Sequence, residues 1–202
     1  MVGSSSVRWW LLLGLGLVVL AVAGALVYGR VAPASPPSMV GTVGGGVTAR
    51  QAFAAAAEMA TQWQEDAGLS VASCHRPAVE ARSGGTVEWN FQFFSSSTRR
   101  LALVAADGET AWVVREGLSP YVVPTFSAEA WRVDSDQALQ TWWDRGGGRW
   151  VARRPDTDLA MQLRMPDNGD DGPVWTVVGL VVGAEAAFSV RVNATDGTLL
   201  EQ

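Results

Sequence analysis

Apolar residues recur at helical spacing behind two capping signals. Thr48 to Gln51 and Asp134 to Gln137 both fit a capping box, in which the N-cap oxygen accepts from the N3 amide and the Gln side chain reaches back. The apolar stripe of the first helix comprises Phe53, Ala56, Ala57, Ala60 and Trp63, and that of the second comprises Leu139, Trp142 and Trp143. Because glycine is favoured just beyond a helix C-terminus, we expect Gly68 to be the C′ residue of the first helix, and 146–148 to end the shorter second one.

Runs rich in Val, Trp, Phe and Leu predict short strands behind each helix. They cover 69–74, 86–95, 99–106 and 110–115 in the first half, then 149–153, 158–165, 173–182, 186–194 and 198–201 in the second. Asp107-Gly108 and Asp196-Gly197 favour tight turns, since glycine adopts positive φ without steric cost. A helix followed by an antiparallel meander can bury its apolar stripe on one sheet face.

Short segments of the chain recur at a nearly constant spacing. Gln51-Ala52-Phe53 matches Gln137-Ala138-Leu139, and Trp89 matches Trp175, both at an offset of 86. The two Asp-Gly turns match at an offset of 89. Two successive copies of one unit explain three matches in the same order, and chance matching of Ala-rich and Gly-rich segments is the alternative.

Residues 9–28 form an apolar stretch without charges, which is long enough to cross a bilayer as a helix. Aromatic residues at 9, 10 and 28 mark its ends, as interfacial anchoring predicts. A cleaved signal peptide, with 32–34 as an Ala-x-Ala site, is the alternative. The run exceeds the usual length of a signal h-region, so an uncleaved anchor is favoured.

The sequence therefore predicts an α+β fold, in which an N-terminal transmembrane helix is followed by two tandem helix-plus-antiparallel-sheet units. The predicted subdivisions are a short N-terminal stub at 1–8, the anchor at 9–28, a flexible Gly/Pro/Ser linker at 29–47, a first unit at 48–116, a connector at 117–133 and a second unit at 134–202. Trp131 is expected to dock the connector.

Charge narrows the classes of partner. From residue 50 onward the chain carries 13 Arg and all 20 acidic residues, a net charge of −7, which argues against nucleic acid or anionic lipid as the main partner. An N-terminal anchor with a short stub favours an extracytoplasmic C-terminal domain at the cell membrane. The single Cys74 cannot form an internal disulfide, so the stability of the extracytoplasmic domain must come from packing.

Few residues suggest chemistry. Cys74-His75 lacks the further Cys or His ligands of a metal site, and neighbours on a strand point to opposite faces, so we expect a buried thiol and an exposed imidazole. The acidic run at 166–173 lacks EF-hand spacing and is expected to be a solvated loop. The Gly clusters at 44–46 and 146–148 lack a phosphate-binding pattern. The sequence predicts no catalytic, cofactor-binding or metal-binding residues.

Eight of the 10 Trp lie outside the predicted anchor, and most should be core. Trp142 and Trp143 cannot both face inward on one narrow helical stripe, since successive positions diverge by ~100°. One of them is predicted to fill an interface between the two units or, alternatively, to be an exposed contact for another protein.

The segments "DSDQAL", "PVWTVVG" and "VRVNATDGTLL" resemble the PepSY family of small extracytoplasmic domains. The match is best over 134–202 and looser over 48–115, where Phe53 replaces the usual Leu. The resemblance implies a cystatin-like fold and a role in inhibiting or regulating peptidases near the cell surface. It implies no enzymatic activity.

These inferences together predict a bacterial, membrane-tethered, extracytoplasmic protein that binds another envelope polypeptide through a sheet edge or a helix–sheet groove. A carrier of a small ligand, with a pocket between helix and sheet, and a structural envelope component are the alternatives.

Overall fold

The computed structural model describes residues 46–83, 87–167, 172–183 and 187–200, all within one compact unit. The helices are α1 (Ala49–Trp63), α2 (Ala78–Ser83), α3 (Ser135–Trp142) and α4 (Gly148–Arg153), and a π-helical turn, Trp143–Gly147, joins α3 to α4. The strands are β1 (Ala67–Pro77), β2 (Trp89–Ser95), β3 (Arg100–Ala106), β4 (Ala111–Leu118), β5 (Asp158–Arg164), β6 (Val174–Leu180), β7 (Ala187–Asn193) and β8 (Leu199–Leu200).

The strands form one eight-stranded antiparallel sheet in the order β4-β3-β2-β1-β5-β6-β7-β8. The predicted α+β architecture of two tandem helix-plus-antiparallel-sheet units is therefore wrong, because the strands of both predicted units belong to one undivided sheet. β1 pairs with β2 on one side and with β5 on the other, in continuous register from Val71–Arg164 to Pro77–Asp158. This pairing satisfies strand-edge hydrogen-bonding groups that two separate meanders would each expose.

The two halves of this single sheet share a local arrangement. Thr48 and Asp134 each cap a helix through a complete capping box, as predicted. Trp89 in β2 donates from Nε1 to the carbonyl of Val47 (2.9 Å), and Trp175 in β6 donates to the carbonyl of Val133 (2.8 Å). Each acceptor immediately precedes the N-cap of its helix, so each indole ties a helix start to the sheet.

The helix N-termini meet at the centre of the molecule. α1 packs against β1–β4 and α3 against β6 and β7. Ser135 Oγ accepts a hydrogen bond from the Ala49 amide (2.9 Å), and Asp134 Oδ1 accepts one from the Arg50 amide (3.2 Å). The Trp89 and Trp175 rings meet edge-on with centroids 6.0 Å apart. One continuous apolar core results, and the completely buried Trp131 brings the connector into it.

Several element boundaries differ from those predicted. α1 ends at Trp63 with Gln64 as its C-cap, and Gly68 lies in β1 instead of at C′. A Cβ at position 68 would lie 2.9 Å from the side chain of Thr125, so glycine there permits the close approach of the connector. Segment 149–153, predicted as a strand, lies in the helix α4. The other predicted strands are confirmed to within a few residues.

The predicted stub (1–8), the anchor (9–28) and most of the linker (29–47) lie outside the described residues. No helix in the described ranges has the length and apolar character needed to cross a membrane. Residues 168–171 of the acidic run at 166–173 also lie outside them.

Asp66 organises the β2–β3 turn, and its effect on stability should depend on pH. Its carboxylate accepts hydrogen bonds from the Ser95 hydroxyl (2.7 Å), the Ser97 amide (2.8 Å) and the Ser96 hydroxyl (3.1 Å). These bonds, the one from the Ser95 side chain foremost, hold the pKa of Asp66 well below its ordinary value. Because the pKa of Asp66 is lower in the folded state than in the unfolded state, the ionised carboxylate stabilises the fold. This stabilisation is complete above the unfolded-state pKa of about 4 and is lost as the pH falls toward the folded-state pKa.

We therefore expect Asp66→Asn to be less stable than the natural chain at pH 7, and the difference to shrink below about pH 4. Urea unfolding at a series of pH values measures it. A difference that stays constant from pH 7 to pH 2.5 would contradict this role for the ionised carboxylate.

Candidate functional site

The first candidate site is β4, which forms one edge of the sheet. Among the described residues β4 pairs only with β3, so the outer side of its backbone has no strand beside it. Seven of its eight residues are exposed. The opposite edge is the two-residue strand β8. Among the described residues, the outer side of β4 is therefore unpaired along all eight residues, whereas at the opposite edge β8 covers Arg191 and Val192 of β7.

Apolar side chains are concentrated along this edge. Nine large apolar side chains among the described residues are exposed, and six of them lie between 112 and 122. We call these six the β4 edge surface: Trp112, Val113, Val114, Leu118, Tyr121 and Val122. Trp112 lies opposite Ala105, and Val113 lies opposite Val104, so the strand presents apolar groups on both faces.

The edge is held in place by ordered contacts. Asp107 Oδ1 accepts from the amide and hydroxyl of Thr110 in the predicted Asp-Gly turn, where Gly108 has a φ of 117°. At the other end of β4, Glu116 accepts from Trp63 Nε1 of α1 (2.7 Å) and forms an ion pair with Arg100 (3.1 Å). These contacts fix both ends of β4.

The residues predicted as protein contacts lie elsewhere. Trp142 is completely buried, and its Nε1 donates to the carbonyl of Phe188 (3.1 Å). Trp143 is partly exposed, and its ring meets that of Trp142 at a centroid distance of 5.0 Å. Neither residue belongs to the β4 edge surface. A contact role for this pair stays a prediction.

The Cys74-His75 pair is split across the sheet, as predicted. Cys74 is buried, and desolvation raises the pKa of its thiol to about 12. His75 is exposed, and its Nε2 lies 3.8 Å from Asp158 Oδ2. The thiol is therefore protonated and inaccessible. In the described ranges, no three His, Cys, Asp or Glu side chains converge as metal ligands would.

A second candidate is a cleft of about 730 Å³ beside the helix N-termini. Arg76 lies opposite the buried Leu159, so its side chain projects toward the helix-covered face. Its Nε and Nη1 are buried and have no hydrogen-bond partner among the described residues. Desolvation lowers the pKa of Arg76. Thr48, Arg82, Ser135, Leu139 and Trp143 also line the cleft. It offers a desolvated cation to an anionic group.

Sequence reasoning identified the strand candidate at 110–115 and left open which sheet edge would be exposed. It missed Arg76. The only signal in the sequence was that this charged residue follows closely after the predicted strand at 69–74, whose residues are mostly small or apolar.

No protein-family model matches the chain, and no curated protein matches it. A search of solved structures finds similarity to the crystal structure of a "putative lipoprotein" from Clostridium difficile 630, with 11% sequence identity and a TM-score of 0.45. The similarity covers 74% of this chain and 90% of the other.

Proposed function

We propose that this protein is a membrane-tethered, extracytoplasmic binding protein that pairs an extended segment of another envelope polypeptide with β4. The observation that supports this best is the β4 edge surface, where the unpaired outer side of β4 coincides with six of the nine exposed large apolar side chains of the described residues. Strand addition would use the outer backbone groups of β4 for affinity and its alternating side chains for selectivity.

The composition of β4 supports a binding role over a passive edge. Natural edge strands are commonly shortened, or carry Lys, Pro or inward-pointing charges, because exposed apolar edges aggregate. β4 has eight residues and contains neither Lys nor Pro, and the carboxylate of Glu116 is engaged by Arg100 and Trp63. Its protective features are a bulge at Val114 and the exposed charge of Arg115, which leave six large apolar side chains exposed at this edge. A polypeptide partner would cover the edge and so remove this liability.

The N-terminal sequence supports a location of the proposed site near a membrane. The apolar segment at 9–28 is the proposed anchor, and the 17 residues at 29–45, which precede the described fold, are the proposed tether. A fully extended chain of that length reaches at most roughly 60 Å. The partner would therefore be a surface or envelope protein, and the PepSY resemblance adds peptidases to the classes to test.

Lysine at position 114 should prevent strand addition with little effect on folding. Val114 is 52% exposed, so Val114→Lys adds a charge and a long side chain where the partner strand would lie. We expect at least a tenfold loss of affinity for the partner. Val182→Lys is the matched control, because Val182 is also apolar and 83% exposed but follows β6. It should bind as the natural chain does.

The partner itself can be identified by a photo-crosslinking residue at position 114 in the full chain within its native membrane. The expected product is a covalent adduct with one contiguous segment of one partner, absent when the same residue is placed at 182. A synthetic peptide of that segment should compete. Adducts only between copies of this chain, or equal adducts at both positions, would refute the proposal. A peptidase in the adduct would extend it to peptidase regulation.

The cleft at Arg76 favours a second candidate function, a carrier of a small anionic molecule, because the Nε and Nη1 atoms of this desolvated guanidinium have no hydrogen-bond partner among the described residues. Native mass spectrometry of the purified full chain tests it. Retention of a small anion by the natural chain and its loss in Arg76→Met would support this function, and no retained mass would count against it.

A further inference from the structure

Four arginines line one small cavity at the end of the molecule opposite the β4 edge. Arg145, Arg149, Arg153 and Arg154 surround a cavity of about 230 Å³, together with Gly146, Trp150 and Phe188. Phe188 lies on β7, which is six strand positions from β4 in the sheet. At about 4.8 Å between strands the two sites are roughly 30 Å apart.

The local fold explains why these side chains converge. The π-helical turn between α3 and α4 contains Gly146 at a φ of 129°, a backbone conformation that favours glycine. The chain bends there, which carries Arg145 and the start of α4 to the same cavity. Arg149 and Arg153 are four residues apart on α4 and therefore share a helix face.

An aromatic stack fixes one of the four guanidiniums. The Arg154 Cζ lies 4.0 Å from the centroid of the Trp150 ring, and the Trp150 and Phe188 rings are stacked with centroids 6.0 Å apart. A guanidinium that stacks on an aromatic ring keeps its N–H groups, which lie in the guanidinium plane, free to donate hydrogen bonds to a ligand. Trp150 Nε1 is also buried and has no hydrogen-bond partner among the described residues.

None of the four cavity arginines forms an ion pair with a carboxylate among the described residues. The three ion pairs between described residues involve His75, Arg100 and Arg164. The chain from residue 50 onward is acidic overall, so the cavity is a local reversal of its charge. Four like charges around one cavity repel each other, and a bound anion would relieve that repulsion.

From this arrangement we propose that the cavity binds the phosphate group of an anionic ligand. A phosphate group offers several strong acceptor oxygens, which can engage more than one guanidinium fork at once. A single carboxylate has two oxygens and matches one bidentate fork. The phosphate could belong to a soluble phosphorylated compound or to a lipid headgroup of the membrane to which the chain is proposed to be tethered.

Binding is tested with the full chain in neutral detergent micelles, titrated calorimetrically with pyrophosphate and, separately, with micelles containing phosphatidylglycerol or phosphatidylcholine. The double variant Arg149→Gln with Arg153→Gln should reduce the affinity for the phosphate ligand at least tenfold, because it removes two guanidiniums that can donate charge-assisted hydrogen bonds. Both residues are exposed, so the melting temperature should be unchanged. The control, Arg132→Gln with Arg164→Gln, removes the same charge from exposed positions outside the cavity and outside β4.

Binding of pyrophosphate that only the Arg149/Arg153 variant loses supports the proposal with a soluble source. Binding of phosphatidylglycerol alone, lost in the same variant, supports it with a lipid source. No binding of either ligand, or equal losses in the two double variants, would overturn it. None of these results depends on β4, so the failure of this proposal and that of the polypeptide-binding function are distinguishable.

Discussion

Trp175→Ala should lower the free energy of unfolding by roughly 3–5 kcal/mol, the range for truncating a large buried aromatic side chain. The ring is completely buried in β6, and it meets both Trp89 and Trp131 edge-on with centroids 6.0 Å away. Its Nε1 also donates to Val133 at the start of α3. Truncation would leave a cavity where the two halves of the sheet and the connector meet.

Two further variants separate packing from hydrogen bonding at this position. Trp175→Phe keeps much of the ring volume and loses the bond to Val133, so part of the cost should remain, on the order of 1 kcal/mol from the lost bond alone. Trp112→Ala truncates a Trp that is 41% exposed on β4 and should cost less than about 1 kcal/mol. Urea unfolding followed by circular dichroism measures all three. A loss below 2 kcal/mol for Trp175→Ala would contradict a central packing role.

Adjacent glycines should respond to alanine in opposite ways. Gly147 is buried against the Trp142 ring, and a Cβ there would collide with it. We expect Gly147→Ala to lower the free energy of unfolding by roughly 1–3 kcal/mol, because the ring or the π-helical turn must shift. Gly148 is exposed, and its Cβ would meet only Trp143 Cε3 at 3.8 Å.

Gly148 has helical dihedral angles (φ −60°, ψ −41°), so Gly148→Ala should leave stability unchanged or raise it by about 0.4–1 kcal/mol through the unfolded state. Gly147 is also helical (φ −54°, ψ −39°), so the difference between the two variants reports the Trp142 contact and not backbone strain. Thermal unfolding of both variants checks the sign. Equal shifts would show that the ring accommodates the methyl group freely.

The arginine cavity shows where sequence reasoning failed and why. Arg145, Arg149 and Arg153 have a spacing of four, which is a helical signal. Trp150 and Val151 favour a strand, and the glycines at 146–148 resemble a helix end. The packing of Trp142 accounts for the helix at this position. Its ring occupies the space beside Gly147 and Gly179, and the chain bends next to it into α4.

Local chemistry was enough to determine the helix starts at Thr48 and Asp134, the Asp-Gly turn before β4 and most strands, because capping bonds, positive φ and alternating burial act between near neighbours in the chain. The sequence also placed a buried thiol and an exposed imidazole at Cys74 and His75. Only the tertiary structure decided that β1 pairs with β5, and because of that pairing one sheet forms with β4 as a long exposed edge. It also decided that four arginines converge on one cavity. Strand-edge pairing and side-chain convergence join residues far apart in sequence, and no local pattern encodes which of several compatible edges will meet.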